Sequence, residues 1–238
     1  MQIAIIGYGK MGREIEAIAV KKGHKVILKI DEDSLHLLKP DSLAKAEVAI
    51  EFSTPGTAFD NIAACFSAGV PVVCGTTGWT GRLDEIVELC RSEKQTFFYA
   101  SNFSIGVNIM FRINKWLAGI MNKFPEYDVG IREIHHIHKK DSPSGTALSL
   151  AGDILQNLER KTGWKNEPVE DRSILEITSE RKGEVPGTHT VAYESATEVL
   201  ELSHRALDRS VFAAGALLAA EFIVDKTGFF KMDDLLDL

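Results

Sequence analysis

No C-x-x-C pair occurs in this sequence, and its three cysteines, Cys65, Cys74 and Cys90, are odd in number. That argues against a disulfide framework or a zinc knuckle; the thiols read as reduced and partly buried in a cytoplasmic protein. Positive charge is not in surplus. Lys and Arg number 27 against 34 Asp and Glu, a net of −7, which opposes nonspecific binding to nucleic acid or an anionic membrane. Long apolar runs are missing too. The longest, from Val211 to Ala220, stops at Glu221, too short to span a bilayer. The opening MQIAIIG has no basic n-region, so no secretory signal is expected. There are no internal repeats and no low-complexity tracts. What remains is the composition of an ordinary soluble globular chain, 45% hydrophobic and 26% charged over 238 residues, enough for one large domain or two small ones.

The first third is strongly patterned. Gln2 to Ile6 is a short apolar run suited to a strand buried on both faces. Gly7-Tyr-Gly9-Lys-Met-Gly12 follows, then Met11, Ile15, Ile18 and Ala19 at helical spacing, with Gly23 as a C-terminal cap. A second run, Lys25 to Ile30, ends in Asp31, nineteen residues after Gly12. In that context G-x-G-x-x-G predicts a dinucleotide site: Gly7 for the tight turn, Gly9 for approach of the backbone to a pyrophosphate, Gly12 for helix–strand packing. The helix start offers free N–H groups to phosphate. Further strands are expected at Glu47–Ser53, Val70–Cys74 and Thr96–Ala100, with helices at Ala58–Ala68 and Leu83–Cys90. The alternation predicts a parallel sheet of Rossmann type, with ligands beyond the carboxyl ends of the strands. Gly75-Thr-Thr-Gly78 stands at such an end, its small residues suited to contact with a flat ring. The segment after Asp31 is short and continues Glu32-Asp33. Three acids would repel the 2′-phosphate of NADPH, so NADH is expected to serve at least as well, unless Lys10 compensates.

After Asn102 the pattern changes. Helices are predicted at 105–121 and 146–158 and strands at 129–136, 173–180, 188–195 and 198–204, with 163–171 a polar linker. This is an α+β segment with a mixed or antiparallel sheet, inserted before a long alanine-rich helix over Asp208–Val224 that packs back on the first domain.

Between the strand and the helix of that segment lies His135-His-Ile-His-Lys139-Lys-Asp-Ser-Pro-Ser144-Gly-Thr146. Ser144 suits the helix N-cap, and Gly145 and Thr146 fall in the first turn, where backbone N–H groups lack partners. A carboxylate could dock there beside the cationic side chains. His135, His136 and His138 are too close in sequence to converge on one metal ion, and no H-E-x-x-H spacing occurs, so no metal is expected. The plainer alternatives are a solvated basic loop with a capped helix, or histidines of a core or interface.

E-x-H-H-x-x-K-x-D-x-P-S-G-T, from Glu133 to Thr146, resembles the signature of the dihydrodipicolinate (4-hydroxy-tetrahydrodipicolinate) reductase family of lysine biosynthesis. Gly7-x-Gly-x-Met-Gly12, Gly75-Thr-Thr-Gly78 and Asn102-Phe-Ser-x-Gly-x-Asn108 are similar to its cofactor-side motifs. Gly187-x-His-Thr-Val191, His204-x-Ala-x-x-Arg209 and Phe212-Ala-x-Gly-Ala216 extend the likeness over nearly the whole chain. The departures are the shorter segment after Asp31 and Thr188 where the family often has Glu. The resemblance implies NADH- or NADPH-dependent reduction of a cyclic imine carrying two carboxylates. His135 would be the acid and Lys139 a proton donor and carboxylate partner, with His136, Ser144, Gly145 and Thr146 holding the substrate. Gly7, Tyr8, Gly9, Lys10, Met11 and Gly12 would carry the pyrophosphate and Asp31 the adenine ribose. Gly75, Thr76 and Thr77 with Ala100, Ser101, Asn102 and Phe103 would flank the nicotinamide. It implies a dinucleotide-binding domain over 1–103, completed by a C-terminal helix over 208–238. It also implies a substrate-binding and oligomerisation domain over 104–207, a homotetramer and a cytoplasmic enzyme. Two other readings stand beside it: a different Rossmann dehydrogenase, although all three cysteines lie in the cofactor half, and a non-catalytic dinucleotide sensor.

Overall fold

The computed structural model describes residues 1–237. It falls into two compact units, one of Met1–Ile105 with the chain from Ser210 onward, the other of Gly106–Arg209.

The first unit is a six-stranded, wholly parallel sheet. Its strands are β1 (Gln2–Ile6), β2 (Lys25–Ile30), β3 (Val48–Glu51), β4 (Val72–Cys74), β5 (Thr96–Tyr99) and β11 (Gly228–Phe230), in the order β11-β5-β4-β3-β1-β2. β1, β3 and β4 are apolar runs because helices cover both faces. On one side α1 (Lys10–Lys21) and α7 (Ser210–Ile223) bury Ile15, Ala19, Ala216 and Leu217 against Ile3, Ile5 and Val73. On the other, α3 (Ala58–Ser67) and α4 (Leu83–Ser92) bury Ile62, Cys65 and Ile86 against Ala4, Val72 and Phe97. Each fully buried branched or aromatic side chain contributes roughly 1.5–3 kcal/mol. β2 is an edge strand, and its alternation of exposed and half-buried residues shows it.

Local signals end the helices. After α1, Gly23 takes φ +84°, and the bonds Gly23 N–H to Val20 O and His24 N–H to Ala19 O close the last turn. α4 ends in the same hydrogen-bond pattern, but the left-handed position is Lys94, at φ 54°. The segment after Asp31 holds only a short 3₁₀ stretch and α2 (Pro40–Leu43) instead of a full crossover helix.

The second unit carries a five-stranded mixed sheet, β10-β9-β6-β8-β7, built from β6 (Asp128–His135), β7 (Gly163–Lys165), β8 (Ile174–Arg181), β9 (Gly187–Glu194) and β10 (Val199–Ala206). β6 runs parallel to β8 and antiparallel to β9. Residues of α5 (Ile105–Met121) and α6 (Gly145–Asn157) cover one face, with Met110, Ala118, Leu150 and Ile154 against Val129, Ile131, Val191 and Tyr193.

Two expectations need correction. The stretch 163–171 is not all linker: Gly163–Lys165 pairs with β8 as an edge strand too short to show a period. Nor does the closing helix run over 208–238. It stops at Ile223, and the chain then adds β11 beside β5 and a one-turn helix α8 (Met232–Leu236). Phe229 and Phe230 reward that turn back, stacking on Phe97 and edge-on to Phe222.

Candidate active site

Two adjoining cavities lie along the carboxyl ends of the first unit's strands. One, of about 420 Å³, is lined by Gly7, Tyr8, Gly9, Asp31, Glu32, Asp33, Thr54 and Thr57 among others. The other, of about 370 Å³, is lined by Gly9, Lys10, Met11, Ser53, Gly75, Thr76 and Thr77 among others. They meet at β1 and β3, where the chain winds outward in both directions, as expected of a ligand crevice in such a sheet. Each glycine of the first turn has a physical reason. Gly7, at φ +90°, lies against the backbone just past β3, where a Cβ would come within 2.1 Å of Phe52 O. A Cβ at Gly12 would come within 2.6 Å of Gly7 O, while Gly9 faces open space at the start of α1. This bare, N–H-rich cradle fits a dinucleotide pyrophosphate.

Asp31 stands at the end of β2, its carboxylate accepting the Ser34 hydroxyl at 2.5 Å. That bond holds its pKa below the ordinary carboxylate value. Gly75 is small for a reason other than the one its position suggests: a Cβ there would lie 2.2 Å from the Phe52 ring. Thr76 turns inward, its hydroxyl accepting Ser53 N–H at 2.9 Å and its carbonyl accepting the Trp79 indole at 2.8 Å. Ser101 is exposed and Asn102 half-buried after β5, with Asn102 Oδ1 accepting Ser104 N–H. Ala100 and Phe103 are core residues, Phe103 packed on Phe52 and Phe98. Beneath the strand ends lies a carboxylate that no motif singles out. Glu51 is fully buried and accepts Ser53 N–H at 3.0 Å and the Cys74 thiol at 3.0 Å. Burial, followed by the charge of Glu51, pushes the Cys74 thiol upward. Cys65 and Cys90 are buried with it and raised in the same direction, which leaves no activated thiol nucleophile.

The second unit gathers titratable groups by strand register. Alternation along β6 puts Val129, Ile131, Glu133 and His135 on its buried face. Glu133 is paired with His189 of β9 on one side and Ser179 of β8 on the other, and His135 is paired with Arg181. Directly paired residues share a face, so an apolar face becomes polar at one end. Glu133 is 0% exposed, His189 4% and His135 7%. The Glu133 carboxylate accepts Ser144 N–H at 3.0 Å, the Ser179 hydroxyl at 2.8 Å and the Arg181 guanidinium at 3.3 Å. Burial works against its charge. The close approach of His189, with hydrogen bonds from Ser144 and Ser179, outweighs that and holds the carboxyl far below its ordinary value.

Burial, then the neighbouring His189, pushes His135 down to about 4, although Glu133 pulls the other way. Its imidazole is therefore neutral near pH 7. Its ring meets that of His189 edge-on, with centroids 4.9 Å apart. Ser144 caps α6, accepting Ala147 N–H, and lies 3.1 Å from His189 Nε2. Gly145 and Thr146 open the helix at the same end. Lys139 stands on the loop, paired with Asp141 at 2.8 Å. His136 turns away from the buried face, and desolvation followed by Arg209 lowers its pKa.

The structure thus brings His135, Ser144, Glu133 and His189 into one contact network and leaves His136 and Lys139 at its margin. His189 and Glu133 were missing from the sequence-derived set. The Gly187-x-His and E-x-H-H spacings carried the signal, but only the register gives it meaning. Among the described residues, Glu133, His135 and His189 offer donor atoms within 4.8 Å of one another, the spacing of metal ligands. Arg181 already supplies the positive charge there, and a second cation would meet its repulsion.

Comparisons with known proteins converge. Residues 1–103 match the family model described as dihydrodipicolinate reductase, N-terminus, and residues 106–236 the one described as dihydrodipicolinate reductase, C-terminus. The chain is 46% identical over 237 residues to a 4-hydroxy-tetrahydrodipicolinate reductase of Christiangramia forsetii, covering 99% of this chain and 98% of that one. It is 38% identical to the protein of the same name from Archaeoglobus fulgidus, over the whole of both chains. The fold is that of a dipicolinate-bound dihydrodipicolinate reductase from Paenisporosarcina sp. TG-14, at a TM-score of 0.79, 24% identity and 97% coverage of each chain.

Proposed function

The chain belongs to the dihydrodipicolinate reductase family and is an oxidoreductase, and from that premise we propose that it reduces 4-hydroxy-tetrahydrodipicolinate to tetrahydrodipicolinate in lysine and diaminopimelate biosynthesis. The observation that carries the reading is the match of both family models to consecutive segments of one chain. A glycine-lined cavity in the first segment and a buried imidazole beside a capped helix start in the second support it.

Bound NADH or NADPH would supply the hydride. Gly7 to Gly12 would hold its pyrophosphate, Asp31 the adenine ribose, and Gly75 to Thr77 with Ser101 and Asn102 the nicotinamide side, Ala100 and Phe103 backing them from the core. Asp31, Glu32 and Asp33 line the cavity beside the glycine turn, and with the adenosine seated there they would favour NADH at least as much as NADPH. On the substrate side, Ser144 positions the start of α6 so that Gly145 and Thr146 present N–H groups to one carboxylate. Lys139 pairs with a carboxylate as it does with Asp141. The substrate's two negative charges raise the pKa of His135, so the imidazole takes up a proton as the dicarboxylate arrives and holds it at Nε2 for delivery. Assembly as a homotetramer and a cytoplasmic location belong to the same proposal. The edge strand β10, with Val199 and Leu200 exposed, supports assembly, and no helix among the described residues is long and apolar enough to cross a membrane.

The test is loss of NADH absorbance when the purified protein meets substrate generated in place by the preceding synthase. Turnover is expected. No loss of NADH or of NADPH above the protein-free rate would end the proposal.

A further inference from the structure

We propose that Glu133 is a positioning residue for the proton donor: it holds His135 with Nδ1–H turned inward and Nε2 turned outward, and His189 opposes it across the same carboxylate. The proposal rests on His135 serving as the acid of the reaction proposed above.

His135 Nδ1 is buried and without a hydrogen bond, yet it points at Glu133 Oε2 from 3.5 Å, and His189 Nε2 stands 3.6 Å from the same oxygen. A neutral imidazole carries one proton. If that proton sat on Nε2, the Nδ1 lone pair would face the carboxylate lone pairs in a site shut off from water. With the proton on Nδ1 the repulsion becomes attraction, and a small ring rotation completes a hydrogen bond. Nε2 is then the atom free to load and deliver a proton. It lies beside Gly187, where a Cβ would come within 3.1 Å of it, so glycine at that position keeps its own side chain off that edge. Glu133 has little freedom to respond to the ring, because Ser144 N–H, Ser179 and Arg181 fix the carboxylate from three sides. A carboxylate that orients an imidazole and favours its cation is a recurrent arrangement in proton-transfer sites.

The charged groups facing His135 come from every neighbouring element: Glu133 on its own strand, Arg181 on β8, His189 on β9 and Lys139 on the following loop. Glu133 favours the imidazolium and the other three oppose it. Two substitutions should therefore act in opposite directions. Where the acid must be protonated, kcat falls at high pH. Glu133→Gln should move that falling limb down by about one pH unit or more, the ordinary effect of removing an opposite charge at this range. Turnover on the alkaline side would then drop about tenfold. His189→Asn should move the limb up.

The experiment is the pH profile of kcat for the wild type and both variants, with imidazole nitrogen NMR of the ligand-free proteins to read the His135 tautomer. The expected spectra show Nδ1–H in the wild type and a mixture in Glu133→Gln. A purely structural role for Glu133 would raise KM or lower stability and leave the limb and the tautomer unmoved. That outcome, or limbs shifting the same way in both variants, overturns the proposal. If Glu133→Gln does not fold, Glu133→Asp should keep the wild-type tautomer and His189→Asn the upward shift, and the absence of both would be equally decisive. A wild type with no reductase activity would refute the functional reading, while the tautomer would still report on Glu133.

Discussion

The carboxylate of Glu133 accepts the backbone N–H of Ser144 at 3.0 Å, fastening the buried end of β6 to the first turn of α6. One hydrogen bond thus ties the strand that carries His135 to the helix start proposed to receive a carboxylate. Ser144 in turn reaches His189 on β9 through its hydroxyl.

Ser144→Ala removes the N-cap acceptor and the partner of His189 while leaving the backbone bond to Glu133 in place. A lost cap costs about 1 kcal/mol, and the stranded imidazole adds about 1–3 kcal/mol. The thermal midpoint should fall by several degrees, on the order of 2–4 °C per kcal/mol for a chain of this size. Calorimetry checks it.

Acid should destabilise the fold earlier than carboxylates alone would dictate. The pKa of His135 is about 4 in the folded protein against an ordinary 6.5, so the unfolded chain binds more protons between those values and stability rises with pH across that window. The contribution is fully present above pH 6.5 and lost as pH falls toward 4, on the order of 3 kcal/mol. Glu133, also lowered on folding, loses its share at still lower pH. Denaturant titrations at pH 8, 6 and 4 should show the slope, and His135→Gln should flatten it between 6.5 and 4.

Lys139→Ala should raise the substrate KM and lower kcat together. A lost charge-assisted bond of about 1.5–3 kcal/mol corresponds to roughly ten- to a hundredfold in binding. Steady-state kinetics separates the two constants, and an unchanged KM would count against the carboxylate contact.

Asp31→Ser should weaken NADH and spare or improve NADPH. The carboxylate is held by Ser34 at 2.5 Å and is proposed above to take the ribose hydroxyls, so KM for NADH should rise about tenfold or more. Measuring both cofactors on both proteins gives the ratio that decides it.

Lys94→Gly should stabilise the protein. Lys94 occupies the left-handed position that closes α4, at φ 54°, where a side chain costs roughly 1 kcal/mol relative to glycine. The midpoint should rise by about 2–4 °C, with activity unchanged.

The sequence by itself determined the local pieces. The buried runs of β1, β3 and β4, the glycine turn from Gly7 to Gly12 and the Ser144 cap are set by side-chain chemistry within a few residues, and so could be read in order along the chain. The α-helical spacing from Ile105 to Met121 was equally legible. Short elements were not: three residues at Gly163–Lys165 or Gly228–Phe230 show no period, and their pairing with β8 and β5 is a tertiary fact. Tertiary structure also decided the site. Glu133, Ser179, Arg181 and His189 are scattered over more than fifty residues, and only the register of β6 against β8 and β9 sets them around one carboxylate. It decided that Gly75 is small for the sake of Phe52, and that His135 lies neutral among buried neighbours, because burial and proximity are properties of packing and not of order along a chain.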